Sequence, residues 1–270
     1  MSSRPIGIVG SDGHACAAAT RFATLGQRVL CYAMHTPSKP PSHKNIEHAA
    51  TPADIGFDCS IVLAFIDDST AFRTLLLGTP DRLGLGAEMN PGTVVVDFGA
   101  RPPRETNALL GVIGMRGVAL VDAAIMGDAR SVELGQTAVL AGGYPDAVDL
   151  AQPILSQLGA VDRTGPLGSA HTAAALMGYV EAAHRVAHAE AVSVGLALGL
   201  SGETLTRVLN GGTETSAAAT LSRRIDLARK LAADRGLTAD VIDFTQARLA
   251  VACGDNQERK PLTNRASKPA

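Results

Sequence analysis

The stretch from Gly165 to Leu200, GPLGSAHTAAALMGYVEAAHRVAHAEAVSVGLALGL, constrains the chain more than any other. After Pro166 it holds no proline, and alanine dominates. Such a run of helix formers predicts one continuous helix of about 30 residues, roughly 45 Å long. His171, Glu181, His184, Arg185, His188 and Glu190 interrupt it, so it does not read as a membrane span. Gly165-Pro166 and Gly168-Ser169 punctuate its start, with Ser169 as the expected N-cap. Before it, short apolar runs alternate with helical patterns. After it, only helical patterns remain. It reads as a spine between two domains.

The 270 residues suit two modest domains. Net charge −2 gives no electrostatic basis for binding nucleic acid or an anionic membrane. Cys16, Cys31, Cys59 and Cys253 have no metal-ligand spacing, and the first three lie in apolar runs, as buried thiols do. That pattern, with no apolar leader at the N-terminus, predicts a reducing, cytoplasmic setting.

Pro5–Gly10 (PIGIVG) reads as a buried strand, a glycine-bearing turn follows, and an alanine-rich helix runs from about Ala15 to Gly26. Arg28–Ala33 is the second strand. A βαβ opening of this kind puts a phosphate-binding turn at the N-terminus of its first helix. The fingerprint there wants Gly-x-Gly-x-x-Gly/Ala. Its positions hold Gly10, Asp12 and Ala15, with Ser11, Gly13 and His14 between and beside them. Asp12 brings bulk and like charge to a pyrophosphate site; Gly13 restores part of the clearance. A βαβ unit whose nucleotide site has decayed is the alternative. No acid follows the second strand within Cys31–Thr36, while His35, Lys39 and Lys44 come after it, which points to NADP(H) rather than NAD.

Further strands are expected at Cys59–Ile66, Thr93–Asp97, Ala119–Asp122, Thr137–Ala141 and Ala160–Arg163. Helices are expected from Asp68-Ser69 to Gly78, Pro103 to Met115 and Pro145 to Leu158, with a loop over Ala123–Gln136. This alternation predicts an α/β, doubly wound, Rossmann-type domain over residues 1–164. An all-helical domain over 165–254, built on the spine, and a polar tail over 255–270 complete the chain. Gly202–Leu209, Thr215–Arg235 and Thr238–Ala252 read as the helices that pack on the spine. They are too few to cover it, so a homodimer is expected.

Several motifs together carry a resemblance: PIGIVG with its alanine-rich helix, IVLAFIDD, GTVVVDFGARPP, VDAAIMGDARSVELGQTAVLAGG and GPLGSAHTAAALMGYV. In their order and spacing the chain resembles the β-hydroxyacid dehydrogenase superfamily of 3-hydroxyisobutyrate and 6-phosphogluconate dehydrogenases, and more closely its imine reductase branch. The resemblance implies a dinucleotide-binding domain, intertwined helical domains in a homodimer, and a small-molecule active site. Hydroxyacid dehydrogenases carry an Asp-Ala-Pro-Val-Ser-Gly-Gly signature, which here reads Asp122-Ala123-Ala124-Ile125-Met126-Gly127-Asp128. Met126 stands for the substrate-binding serine, Ala174 for the catalytic lysine, and Gly178 for the asparagine one turn later. Imine reductases share an Asp-Gly-Ala-Ile-Met signature close to Asp122–Met126 and also lack the lysine.

The expectation is therefore an NADPH-dependent, imine-reductase-like enzyme acting on a small C=N or C=O substrate. Gly10–Ala15 would hold pyrophosphate, Ile66, Asp67, Phe98 and Arg101 the nicotinamide side, and Asp122, Ile125, Met126, Ala174 and Gly178 the substrate. A proton donor is absent at Met177 and Gly178, where imine reductases often place one. His171, one turn before Ala174, is the leading substitute, followed by Asp128 and Tyr179. Glu181, His184 and His188 have helical spacing for a metal but read as interface or cleft residues, and no metal site is expected. The rivals are a hydroxyacid dehydrogenase with relocated acid and base groups, and a non-catalytic binding protein on the same scaffold.

Overall fold

Each apolar run is short, rich in Val and Ile, and closed by turn residues, and each becomes a strand. The structure, a computed structural model, describes residues 4–33, 41–211 and 218–245. It opens with β1 (Ile6–Val9), α1 (Gly13–Thr24), β2 (Val29–Tyr32), β3 (Ile46–His48), α2 (Pro52–Asp58), β4 (Ile61–Ala64) and α3 (Ser69–Leu77). A small hairpin of β5 (Gly78–Thr79) and β6 (Arg82–Leu83) precedes β7 (Val94–Asp97), α4 (Pro103–Ile113) and β8 (Ala119–Met126). Then come α5 (Ala129–Leu134), β9 (Thr137–Gly143), α6 (Pro145–Leu155) and β10 (Gly159–Gly165). The chain continues as α7 (Ser169–Ala197), α8 (Gly202–Gly211) and α9 (Ala218–Ala233).

The eight-stranded sheet has the order β10-β9-β8-β7-β4-β1-β2-β3. Its strands are parallel except where β8 meets β9. Because β2 and β4 flank β1, the strand order reverses there, and a crevice opens beyond the carboxyl ends of β1 and β4. Side chains alternate between two cores. Ile6, Ile8, Leu63, Val96 and Val121 pack with Phe22 of α1 and Val148 and Leu155 of α6. Val9, Val62, Val95 and Leu120 pack with Leu76 of α3 and Leu109 and Ile113 of α4. Each such side chain contributes about 1.5–3 kcal/mol when fully buried. Gly7 faces α2 so closely that a Cβ there would meet Ile55 at 2.8 Å.

The loop expected over Ala123–Gln136 is instead mostly regular. β8 runs on to Met126 because β9 pairs antiparallel with it, Met126 opposite Ala138. α5 fills much of the rest, capped by Asp128. β3 and α2 lie between the second strand and the run Cys59–Ile66, where no element was expected. A Thr51–Asp54 capping box and Pro52 in the first turn start α2.

α7 is one helix of 29 residues, as the spine predicted. Its start is held differently from expectation. Ser169 does not supply the cap; its hydroxyl lies 2.7 Å from that of Thr164, and the helix end is bound by Asp122. Residues 175–189 of α7 are all exposed. The chain forms two compact units, residues 1–178 and 179–270. In the second, Val194, Ala232 and Ala239 make a small core. There Glu190 accepts from the backbone N–H groups of Val241 and Ile242 at 3.0 and 2.9 Å. Among the described residues no helix is long and apolar enough to cross a membrane.

Candidate active site at the ends of β1, β4, β7 and β8

Gly10 follows β1 with φ +144°, and a Cβ there would lie 2.7 Å from the Phe65 carbonyl oxygen after β4. Only glycine makes this turn comfortably. Asp12 is the N-cap of α1, its Oδ1 accepting from the Ala15 N–H at 2.7 Å. Its carboxylate is thus turned onto the helix end, while helix geometry leaves the amides of Gly13 and His14 without intrahelical partners. The His14 ring donates from Nε2 to the Gly127 carbonyl at 3.0 Å, and Gly13 faces Ala129. The turn after β1 is thereby tied to the turn after β8. Asp128 is exposed and caps α5 through the Ser131 N–H at 2.8 Å; that bond and the Ser131 hydroxyl hold its carboxyl below the usual range.

Beyond β7, Asp97 and Arg101 form a fully buried ion pair: Nε to Oδ2 at 2.6 Å and Nη2 to Oδ1 at 2.9 Å. The guanidinium also donates to the Ile66 carbonyl, reaches the Ser69 hydroxyl at 3.4 Å, and lies 4.3 Å from the centre of the Phe72 ring. Gly99 makes room for it, since a Cβ there would fall 2.1 Å from both Arg101 Nη2 and the Ile66 oxygen. Burial pushes the Asp97 carboxyl up from its usual range, against the opposing pull of Arg101, His171 and the Gly99 N–H. Asp67 accepts from the Ala100 N–H at 3.1 Å, a second tie between the turns after β4 and β7. Arg101, expected beside the nicotinamide, is therefore committed to holding these turns together.

Asp122 is fully buried on β8. Its Oδ1 accepts from the Gly168 N–H at 2.7 Å and its Oδ2 from the His171 N–H at 3.0 Å. Both oxygens serve the start of α7, so Asp122 positions the helix and is not free to meet a substrate. His171 is 6% exposed, and its Nε2 lies 3.0 Å from the Asp97 carbonyl oxygen. A carbonyl only accepts, so Nε2 carries the hydrogen. Among the described residues, Nδ1 is buried and has no hydrogen-bond partner.

These elements enclose a cleft of about 570 Å³. Phe98, Ala100, Pro102, Pro103, Ala123, Ala124, Ala174, Ala175 and Leu176 supply its apolar wall, and Arg101, His171 and Thr172 also border it. Phe98 is stacked on Phe65 with ring centroids 4.6 Å apart. Ala174 borders the cleft as expected, while Ile125 and Met126 are half-buried on β8. A Cβ on Gly178 would meet no neighbouring element among the described residues, and Tyr179 is 67% exposed. His184 and His188 are exposed, and Glu181 pairs with Arg185. Among the described residues no group of three or more His, Cys, Asp or Glu is gathered to hold a metal. His35, Lys39 and Cys253 lie outside the described residues. The sequence reading missed Asp97; its signal was an acid closing the apolar run VVVD with an arginine four residues on.

Residues 6–178 match the model of the NAD-binding domain of 6-phosphogluconate dehydrogenase. The chain belongs to that family. Among curated relatives, the L-threonate dehydrogenase of Cupriavidus necator is 29% identical over 165 residues, covering 59% of this chain and 54% of its own. The chain spans about half the length of the curated relatives it matches. Among solved structures, the reductive aminase of Aspergillus terreus, in complex with NADPH and ethyl levulinate, superposes with TM-score 0.77. It is 16% identical, and the match covers 94% of this chain and 95% of that one. The imine reductase of Myxococcus stipitatus, in complex with NADP+, gives 0.74 at 17% identity, covering 93% and 95%. At these identities the likeness is one of fold. The NAD-binding domain of the 6-phosphogluconate dehydrogenase family accordingly supplies the crevice in which the turn, ion pair and cleft lie.

Proposed function

We propose that the chain works as an NAD(P)-dependent reductase, imine-reductase-like, on a small apolar substrate carrying C=N or C=O. The observation that carries this reading is the cleft. Its wall is almost wholly apolar, and among the described residues the one cation that borders it, Arg101, is engaged by Asp97, Ile66 and Ser69. A hydroxyacid needs a cation for its carboxylate and a base for its hydroxyl. Ala174 and Met126 supply neither. An apolar C=N compound needs mainly shape and placement.

The turn fits a dinucleotide: it lies at the switch point, Gly10 clears the backbone, and α1 directs its N-terminus there. Gly10, Ser11, Gly13 and His14 would hold the pyrophosphate, with Asp12 weakening the site through its charge. Ile66, Asp67 and Phe98 would line the nicotinamide side. When bound, a reduced nicotinamide supplies a hydride. The lack of an acid in Cys31–Thr36 favours NADP(H), with His35 and Lys39 meeting the 2′-phosphate. A second copy of the chain would cover Leu176, Met177, Tyr179, Val180 and Val186 on the exposed stretch of α7.

The test is NADPH consumption with 2-methyl-1-pyrroline, set against NADP+ reduction with L-threonate and 3-hydroxyisobutyrate. Turnover of the imine alone supports the proposal; robust hydroxyacid oxidation overturns it. Lys39→Glu should weaken NADPH and spare NADH. Light scattering should give a dimer at micromolar concentration, and a monomer would remove the second copy.

A further inference from the structure

We propose a second binding site, at the end of the sheet opposite the nucleotide crevice, for a small organic anion: a carboxylate or phosphate on an apolar body, held by Arg4 and Arg28. The site stands apart from the reductase reading of the cleft and does not depend on it.

β1, β2, β4 and β7 run parallel, so the residues that lead into them gather at one end of the sheet, and the crevice lies beyond the other. Arg4 leads into β1, Arg28 into β2 and Ser60 into β4. The Ile6 N–H donates to the Arg28 carbonyl oxygen at 2.9 Å, which sets Arg28 beside the start of β1. Both arginines and Ser60 border a cavity of about 300 Å³. Its apolar wall includes Ile61 on the sheet and Leu150 and Ile154 on α6. That volume is at the small end for ligand pockets.

Charge decides what such a cavity takes. Two guanidinium groups border it and, among the described residues, no carboxylate does. Arg28 holds Glu47 at 3.3 Å, outside the cavity and with both side chains at least half-exposed, a pair of the kind that contributes little in water. Arg4 makes no ion pair among the described residues. Burial and then Asp58 push the Cys59 thiol up to about 12, and Arg4 and Arg28 both pull against them, so the two cations converge where β4 begins. Guanidinium groups grip a carboxylate or phosphate through paired, directional hydrogen bonds. The walls decide the rest of the ligand. Leu150 borders the cavity yet is 60% exposed. An inorganic ion would leave it wet. A short hydrocarbon body would cover it, each buried CH₂ adding about fourfold in affinity.

The experiment is calorimetry on the full-length protein at fixed chloride, with and without NADP+. The probes are 4-methylpentanoate, its neutral amide, 3-methylbutyl phosphate and inorganic phosphate. At least one of the two branched anions should bind tighter than the amide by about tenfold or more, and the tighter one identifies the head group. Inorganic phosphate should bind more weakly than its 3-methylbutyl ester. Arg4→Gln and Arg28→Gln should each lower the affinity of the tighter anion by about tenfold. Glu47→Gln, which frees Arg28, should raise it severalfold, and this variant guards against reading a misfolded arginine variant as a lost site. NADP+ should leave anion binding unchanged, since Gly10 and the turn lie past the far end of β1. Binding of the amide as tight as the anions, affinity that survives both arginine variants, or no binding at millimolar concentration would overturn the site. Displacement by NADP+ would place the anion at the N-terminus of α1 and overturn it too. Inorganic phosphate as tight as its ester would overturn the apolar body. None of these results bears on imine turnover, so the reductase reading stands or falls separately.

Discussion

The carboxylate of Asp122 and the backbone N–H of His171 meet at 3.0 Å, where strand β8 caps helix α7 from a distance of 49 residues in sequence. The second oxygen takes the Gly168 N–H at 2.7 Å. One buried side chain thus seats the helix that carries His171 and Ala174. Asp122→Ala leaves two buried amides unmet and should cost about 2–3 kcal/mol. Asp122→Asn keeps one accepting oxygen and should lose less. Urea denaturation of both variants measures this, and an unchanged Asp122→Ala midpoint would show that the helix start is held by something else.

Asp12 separates two effects on one residue. As N-cap it stabilises α1; as a charge it opposes a pyrophosphate. Asparagine caps about as well as aspartate, so Asp12→Asn should leave thermal stability nearly unchanged. Removing the charge should tighten NADPH by about 1 kcal/mol, roughly fivefold in Kd. Asp12→Ala removes both effects and should lose about 1 kcal/mol of stability. Titration by nucleotide fluorescence reads the affinity. No gain in Asp12→Asn would place the pyrophosphate away from that carboxylate.

The sheet was legible because its strands announce themselves. Runs such as GIVG, IVLA and VVVD are too apolar and too short for anything but buried parallel strands between turns. The spine was legible from helix formers uninterrupted by proline. Of the site, the sequence offered single residues such as Gly10, His171 and Ala174, which lie at the turn after β1 and along the cleft. Asp122 was misread because its partners, Gly168 and His171, lie 46 and 49 residues away, and no local pattern reveals a remote cap. β8 was read too short for a related reason: Ala123–Met126 stays extended through pairing with β9, whose residues come later. Arg101 was read as lining the nicotinamide side, and its buried bond to Asp97 was not foreseen, because the space Gly99 clears for it cannot be seen in one dimension.

Arg101→Met should cost about 3–5 kcal/mol, since it leaves Asp97 buried without its partner. The pH dependence has a definite sign. Burial already raises the Asp97 carboxyl, and losing the guanidinium raises it further. A carboxyl raised in the folded state favours folding most when protonated. Its contribution is fully present below the unfolded pKa and lost as pH rises through the raised one. The deficit of Arg101→Met against the native protein should therefore widen as pH increases, and Asp97→Asn in the same background should flatten the curve. A deficit independent of pH would mean that the loss comes from packing against Phe72 alone.

Ala174 borders the cleft one helical turn beyond His171, at the position where the resemblance to hydroxyacid dehydrogenases implies a lysine. Arg101 is locked to Asp97, so Ala174→Lys would introduce the only free cation among the described residues that border the cleft. An ammonium there can bind a carboxylate or share a proton with a hydroxyl, the two tasks the native wall cannot perform. The variant should bind 3-hydroxyisobutyrate measurably by calorimetry where the native protein does not. Imine turnover should fall, because the new charge repels an iminium. If the pocket also positions a hydroxyl carbon toward the nicotinamide side, oxidation should become detectable within the 10²–10⁴-fold range typical of one acid–base group. Stronger imine turnover together with no hydroxyacid binding would show that Ala174 does not face the substrate, and the cleft would lose its claim to be the active site.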